Sequence, residues 1–435
     1  MCSSMATKNI IAFVSGIPAE TIKSIRAYEK TVGETYRIML IENSQRNRGR
    51  TQRDYPGLDI LLEVDLTNSD AIARALMPYQ NELVAITSRN ESFMADFIAV
   101  IPNVPYLKTP STESLVWAVD KLHMRRRFKI YDKKITPKYT RVKENTDAER
   151  ERIIKKIGFP MIVKPANLAQ SMLVTICYHE EELAKTLKFT FANIERVYAE
   201  NGRVEKPRVI AEEYMEGIMY SVDAYVSARG KVYFCPLVRI KTGKDIGHQD
   251  FYGYLQMTPA KLTPETIRRV EEVAAKGVHA LGLRSTTVHV ELLRIDEEWK
   301  VIEIGARIGG FRHRLHALSC DINHSMNDVL IRMGKKPVIP KRCTKSAAAM
   351  KWFPKEEGVI TKIAGIKKVK ELESFVSMTT HLKRGDVARF AKNGGLSVFN
   401  LILANKDRSK LLADIRRVEE LVVLTTEPLK NGKIK

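Results

Sequence analysis

Val288-His-Val-Glu-Leu-Leu-Arg-Ile-Asp-Glu-Glu-Trp-Lys-Val-Ile-Glu-Ile-Gly-Ala-Arg-Ile-Gly-Gly310 is the stretch from which the rest of the chain can be read. It reads as two strands, His289 to Ile295 and Trp299 to Ile304, joined by the polar turn Asp296-Glu297-Glu298. Val288, Val290 and Leu292 alternate onto one face, and His289, Glu291 and Leu293 onto the other. Glu291 and Glu303 thus fall within otherwise apolar strand sequence. A carboxylate there is costly to bury unless it is paired or bound to a cation. Two neighbouring carboxylates suit one divalent ion, and Mg²⁺ takes hard oxygen ligands and bridges carboxylates to phosphate oxygens. Arg307 follows on a Gly-flanked loop, placed to face an anion at the same spot. Taken alone, the stretch is equally compatible with a surface hairpin carrying two solvated glutamates.

Three further stretches point the same way. Ile157-Gly-Phe-Pro-Met-Ile-Val-Lys-Pro-Ala166 puts the single cation Lys164 at the end of an apolar run. Val209-Ile-Ala-Glu-Glu-Tyr-Met-Glu-Gly217 reads as strand then turn. Ala280-Leu-Gly-Leu-Arg-Ser-Thr-Thr-Val-His-Val-Glu291 leads into the acidic hairpin. In this order they resemble the ATP-grasp superfamily, and within it the carboxylate–amine ligases that join amino acids. The resemblance covers at least Lys121 to Gly310.

What the resemblance implies is an α/β (α+β) fold. A parallel N-terminal domain would occupy 1–110, the ATP-grasp domain 111–336 with a lid at about 140–200, and a strand-rich C-terminal domain 337–435. It further implies that Lys121 and Lys164 hold nucleotide phosphates, with Ser171 in the loop between the lid strands. Glu212, Glu213, Tyr214 and Met215 would form the adenine segment, with Met215 against the ring. Glu291 and Glu303 would hold Mg²⁺ or Mn²⁺. Arg307, with Arg239 or Lys241, would steady the γ-phosphoryl and acyl-phosphate oxygens. The implied reaction is ATP-dependent activation of a small carboxylate for attack by an amine. Alternatives are a bicarbonate-using carboxylase relative or a non-catalytic ATP-binding protein. Three departures from the family pattern stand out. The loop Pro165 to Met172 has no Gly, Met219 stands where a ribose-binding Glu is usual and leaves Glu216 as a substitute, and Gly305 stands where an Asn metal ligand is usual.

Outside the resemblance, each of these residues also has a structural reading. Lys121 sits on an amphipathic pattern that Thr109-Pro110 is expected to open as a helix. Pro264 to Leu281 is a second amphipathic helix, ended by Gly282. Alternating strands and helices from Ile10 to Ile86 imply a parallel sheet, and the absence of G-x-G-x-x-G argues against a dinucleotide site there. The basic loop Arg46, Arg48, Arg50 and Arg53 reads as solvated, as does the cluster Arg125-Arg126-Arg127.

The 435 residues, 44% hydrophobic and 28% charged, suit a folded multi-domain chain with a substantial core. No apolar run is long enough to span a membrane, and the N-terminus lacks a signal-peptide pattern. The five cysteines are scattered, odd in number and form no C-x-x-C, which argues against a disulfide framework or a zinc cluster and for a reducing cytoplasm. The formal charge of +21 favours anionic ligands, but no zinc-finger, RNA-recognition or basic-zipper pattern accompanies it. The resemblance, rather than the composition, implies small carboxylate and amine substrates as partners, with homo-oligomerisation left open.

Overall fold

A computed structural model describes residues 8–46, 49, 51–168, 172–202, 205–248 and 250–428. Ser171, Arg48 and Arg50 lie outside the described residues.

The N-terminal strands Ile10–Val14, Arg37–Asn43, Ile60–Val64 and Leu83–Thr87 form a four-stranded parallel sheet. Ile10–Val14 is wholly buried between helices on both faces, so its sequence is a continuous apolar run without alternation. Ligand groups in open parallel sheets gather beyond the carboxyl ends of the strands. Here the segment after Leu83–Thr87 delivers Arg89 and Glu91 toward the central sheet.

The segment expected to serve as a lid forms an antiparallel sheet in the order Tyr139–Val142, Val209–Glu213, Met161–Pro165, Thr175–Cys177. Helices Asp147–Ile157 and Glu180–Glu200 pack on it. The second helix runs further than the polar sequence after Phe191 suggests. Leu187, Thr190, Ile194 and Tyr198 keep one buried face at helical spacing, and that face carries the helix to Glu200.

The central sheet has nine antiparallel strands, in the order Glu298–Gly305, Thr286–Ile295, Ile218–Val226, Val238–Thr242, Gly253–Thr258, Ser346–Trp352, Phe399–Asn405 and Phe375–Thr380, with Val232–Phe234 beside Ile218–Val226. The last three strands of that order come from beyond residue 337, so the sheet is continuous across the boundary read from the sequence. Helix Pro264–Ala280 covers the hairpin. Thr263 caps it by accepting from Thr266 N at 3.2 Å, and Pro264 occupies its first turn. The helix packs so closely on the edge strand that a Cβ at Gly277 would lie 2.8 Å from Ile304 Cδ1.

Two local expectations are corrected. Ser111, not Thr109, caps the helix Thr112–Val119, accepting from Ser114 N at 3.2 Å. That helix stops at Asp120, whose extended backbone separates it from a second helix, Lys121–Tyr131. Asp120 caps the second helix through His123 N at 3.0 Å and also pairs with Arg208. Lys121 is therefore a first-turn residue rather than a mid-helix surface lysine. The cysteine reading is corrected too: Cys320 and Cys343 form a disulfide. The scattered cysteines therefore give no argument for a reducing compartment. No described helix is long and apolar enough to cross a membrane.

Candidate active site

Register brings the two carboxylates together. Ile295 pairs with Glu298 and Leu292 with Val301, but Glu291 pairs with Glu303. One extra residue, Ile302, is accommodated as a bulge, which turns Glu303 onto the face of Glu291. Residues opposite one another on neighbouring strands share a face. Ser221 lies opposite Glu291, and Asp223 lies opposite His289, so these four and Glu303 line one surface of the sheet.

The bulge is held by a residue that sequence reading left on the surface. Arg125 is fully buried and donates from Nη1 to the Val301 carbonyl at 3.2 Å and from Nη2 to the Ile302 carbonyl at 2.7 Å. Its Nε donates to Glu212 Oε1 at 2.8 Å. Glu212 meets Lys164 Nζ at 2.6 Å through its other oxygen. A single network thus joins the lid strands to the edge of the central sheet. Arg127, also read as solvated, stacks on Trp117 at 4.2 Å and donates to the Ala280 carbonyl at 3.1 Å.

Lys121 Nζ lies 3.1 Å from Glu303 and donates to the Leu168 carbonyl at 3.0 Å. Burial pushes Lys121 down, but Glu303 and Glu91 outweigh it and hold the ammonium above its usual range. Burial pushes Lys164 below its ordinary value against the pull of Glu212. Arg307 pairs with Glu91 from the N-terminal domain, and its Nε donates at 3.1 Å. His289 Nδ1 contacts Asp223 at 2.6 Å and Nε2 contacts Glu291 at 3.3 Å. Burial pushes His289 down, but Asp223 more than offsets this and raises it. Burial raises Glu291, yet His289, Arg307 and Arg312 bring it below the usual carboxyl range.

The remaining expected residues fall as follows. Glu213 accepts from Lys138 N at 3.2 Å, Tyr214 N donates to the Pro160 carbonyl at 3.1 Å, and Met215 is half-buried beside them. Glu216 is exposed and precedes the strand on which Met219 lies. Arg239 and Lys241 are separated from the carboxylates. Arg239 lies opposite Tyr220, and Tyr220 faces away from Ser221, into the core beside Trp299. Both cations are exposed on the other side of the sheet, in a cleft with Leu412, Ile415 and Arg416. The strand's two-residue period, set by pairing that sequence does not reveal, puts them on the wrong face.

Other cations lie on the face of the carboxylates. Arg312 is buried and donates to Ser221 Oγ at 2.8 Å and to Gln256 Oε1 at 2.6 Å. Lys351, from the C-terminal segment, is held below its ordinary value first by burial and then by Arg312, while Glu291 pulls it up. Sequence reading assigned that segment no site residue. The available signal was the one used for Lys164, a lone cation ending the apolar run Ala347 to Met350.

Gly309 closes the site from below. Its N–H donates to Asp223 Oδ2 at 2.9 Å, and a Cβ there would lie 2.4 Å from His289 Nδ1. The imidazole is fixed on both sides and cannot withdraw. Gly309→Ala is expected to displace His289 and Glu291 and to lower turnover by at least about tenfold, as misplacement of site groups does. Unchanged kinetics would show that the loop yields freely.

The Glu212 network has a pH signature. Burial raises Glu212, but Arg125 and Lys164 prevail and bring it down to about 2 from 4.5. A depressed carboxyl contributes stability that is complete above about 4.5 and is lost as pH falls through about 2. The contribution is on the order of 3 kcal/mol. Glu212→Gln should flatten the acid limb of thermal stability across that window. An acid limb as steep as that of the parent protein would contradict the assignment.

A family described as an ATP-grasp domain matches residues 157–314. By structure, the chain is similar to L-amino acid ligase from Bacillus licheniformis, with a TM-score of 0.77 over 96% of this chain and 99% of that one at 17% identity. The chain has the ATP-grasp fold. By sequence it is 28% identical over 279 residues to alanine–anticapsin ligase from Bacillus subtilis, covering 59% of this chain and 56% of that protein. It is 23% identical over 326 residues to the uncharacterized protein y4rH of Sinorhizobium fredii, covering 74% and 64%. The matched stretches thus span between about half and two thirds of these two relatives' own length. Within the ATP-grasp frame, the lid carries Lys164 and Glu212, and the central sheet carries Glu291 and Glu303.

Proposed function

We propose that this ATP-grasp protein is a Mg·ATP-dependent carboxylate–amine ligase that joins amino acids or close analogues. The observation that carries the reading is Glu291 opposite Glu303, ringed by Lys121, Arg307 and Arg312, with Lys164 one ion-pair network away.

The donor set fits Mg²⁺. Glu291 and Glu303 are hard oxygen ligands that share one face, and Gly305 supplies no third side chain, which leaves coordination sites for water and phosphate. When bound, the ion would neutralise phosphate charge; Mn²⁺ suits the same donors. Lys164 and Lys121 would hold phosphate oxygens of ATP, and the segment Glu213 to Met215 would border the base. Glu212 is already committed to Arg125 and Lys164, so it serves the nucleotide by positioning Lys164. Arg307, Arg312 and Lys351 would receive the substrate carboxylate and the developing acyl phosphate.

In the reaction, a carboxylate oxygen attacks the γ-phosphorus and ADP leaves. An amine then attacks the acyl carbon, loses a proton, and phosphate departs with the original carboxylate oxygen. Positioning and charge neutralisation supply the catalysis, so no nucleophilic side chain is needed. The amino-acid substrate class rests on the names of the relatives together with the cation-rich pocket. An ATP-consuming ligase belongs where ATP is abundant, which favours the cytoplasm.

The test is ADP release from Mg·ATP with pooled amino acids, then with the pool split. Stimulation by one pair of amino acids supports the ligase. ADP release stimulated only by bicarbonate would assign the chain to carboxylase chemistry instead.

A further inference from the structure

Further along the same face of the central sheet lies a second cluster that the ligase reading does not use. Asp223 gives one oxygen to His289 and, through the other, accepts from His324 Nε2 at 2.8 Å. His324 Nδ1 meets the Tyr225 hydroxyl at 2.6 Å. Tyr225 also contacts the Cys235 thiol. His316 packs edge-on to His324 at 5.6 Å between ring centres. One ligand atom each from Cys235, His316 and His324 lies within 4.8 Å of the other two.

His316 is the anomaly. It is fully buried, and neither ring nitrogen has a hydrogen-bond partner among the described residues. An unpaired buried polar group costs about 1–3 kcal/mol, and such a group in a native fold asks for an unseen water or ion. Burial, and then His324, bring its pKa down to about 3, so the ring is neutral and offers a lone pair. The surroundings are apolar, with Ile322 and Ile331 packed against the same cluster. Cys320 in that wall is bonded to Cys343, which leaves Cys235 as the thiol available to the cluster.

We propose that Cys235, His316 and His324 form a buried zinc site, separate from the nucleotide-linked metal and independent of the ligase reading. Thiolate and imidazole donors select zinc over magnesium. Bond lengths of about 2.0–2.3 Å in a tetrahedron require donor separations of about 3.3–3.8 Å, so the three donors close in by up to about 1.5 Å. Tyr225 stands beside two of them as a candidate fourth donor. Binding breaks the Cys235 S–H bond, forms a sulfur–zinc bond and releases the proton to solvent. The thiolate and the Asp223 carboxylate then offset the dication. Asp223 becomes the carboxylate that orients a metal-bound histidine, a common outer-shell arrangement. Because Asp223 also holds His289 and Gly309, zinc would brace the neighbouring carboxylate site from the side.

The test uses the full chain without reductant. Wild-type protein dialysed against zinc should retain one equivalent by elemental analysis. Cobalt in its place should give a near-ultraviolet thiolate-to-metal band and strong visible absorption, the mark of a tetrahedral site with sulfur. Cys235→Ser should lose the thiolate band, and Cys177→Ser, which removes a buried thiol in the lid, should keep it. His316→Asn should weaken binding by more than the about 10- to 100-fold that loss of an outer-shell partner costs. A Glu291→Gln/Glu303→Gln double variant should leave the band in place, because those ligands carry no sulfur. Absence of bound metal and of the band in folded wild-type protein would overturn the proposal whether or not the variants fold. Persistence of the band in Cys235→Ser would overturn it equally.

Discussion

Replacing Glu303 by Gln is expected to lower kcat for ADP formation by about 10²–10³-fold or more while leaving the fold intact. The amide preserves the side chain's shape and its place opposite Glu291. It removes the charge that faces Lys121 and, in the proposed reaction, the charge that would hold the nucleotide's metal. Losing one preorganised charge at a phosphoryl or acyl centre costs rates of that order. Circular dichroism should be unchanged, since Glu303 is partly exposed on an edge strand. Glu298→Gln, an exposed change on the same strand, serves as the control and should leave turnover near that of the parent. Normal turnover by the Glu303 variant would remove the metal assignment.

Arg125→Met should have the second large effect, and of a different kind. The methionine fills much of the same space but leaves Glu212 with Lys164 alone and leaves the carbonyls of Val301 and Ile302 without their donor. Breaking a buried ion pair from one side costs about 3–5 kcal/mol. The thermal midpoint should fall by several degrees. Turnover should fall as well at temperatures where the chain remains folded, because the bulge that turns Glu303 toward Glu291 loses its support. Arg125 acts by positioning, so its kinetic loss should appear mainly in kcat, with smaller change in the KM for the amino acid. A variant as stable as the parent would mean that water or a neighbouring cation replaces the guanidinium.

How much of this was legible depends on the range over which each feature is determined. The hairpin, the lid lysine Lys164 and the helix Pro264–Ala280 follow from local alternation and spacing, and they stand where sequence places them. The break between Val119 and Lys121 was encoded locally too, by Asp120 as a cap, but an unbroken apolar spacing masked it. Arg125 was not legible. Its partners lie 87 and about 176 residues away, and a run of three arginines looks like a solvated face until a fold surrounds it. The faces of Arg239 and Lys241 depend on strand register, where one residue of slip exchanges inside for outside. The bulge at Ile302 has no local sequence mark, yet it determines whether the two glutamates meet. Lys351 reaches the site only because the C-terminal strands extend the central sheet, a connection that the change of pattern near residue 347 hides.

The central claim is that a substrate carboxylate is phosphorylated beside Glu291 and Glu303. It is tested most directly by following one oxygen atom. The amino acid that stimulates ADP release is supplied with its carboxylate labelled with heavy oxygen, and the released phosphate is analysed by mass. The proposed reaction transfers one labelled oxygen to phosphate per product formed. Phosphate carrying no label from the substrate, and instead an oxygen from solvent, would show that water attacks ATP directly and that no acyl phosphate forms.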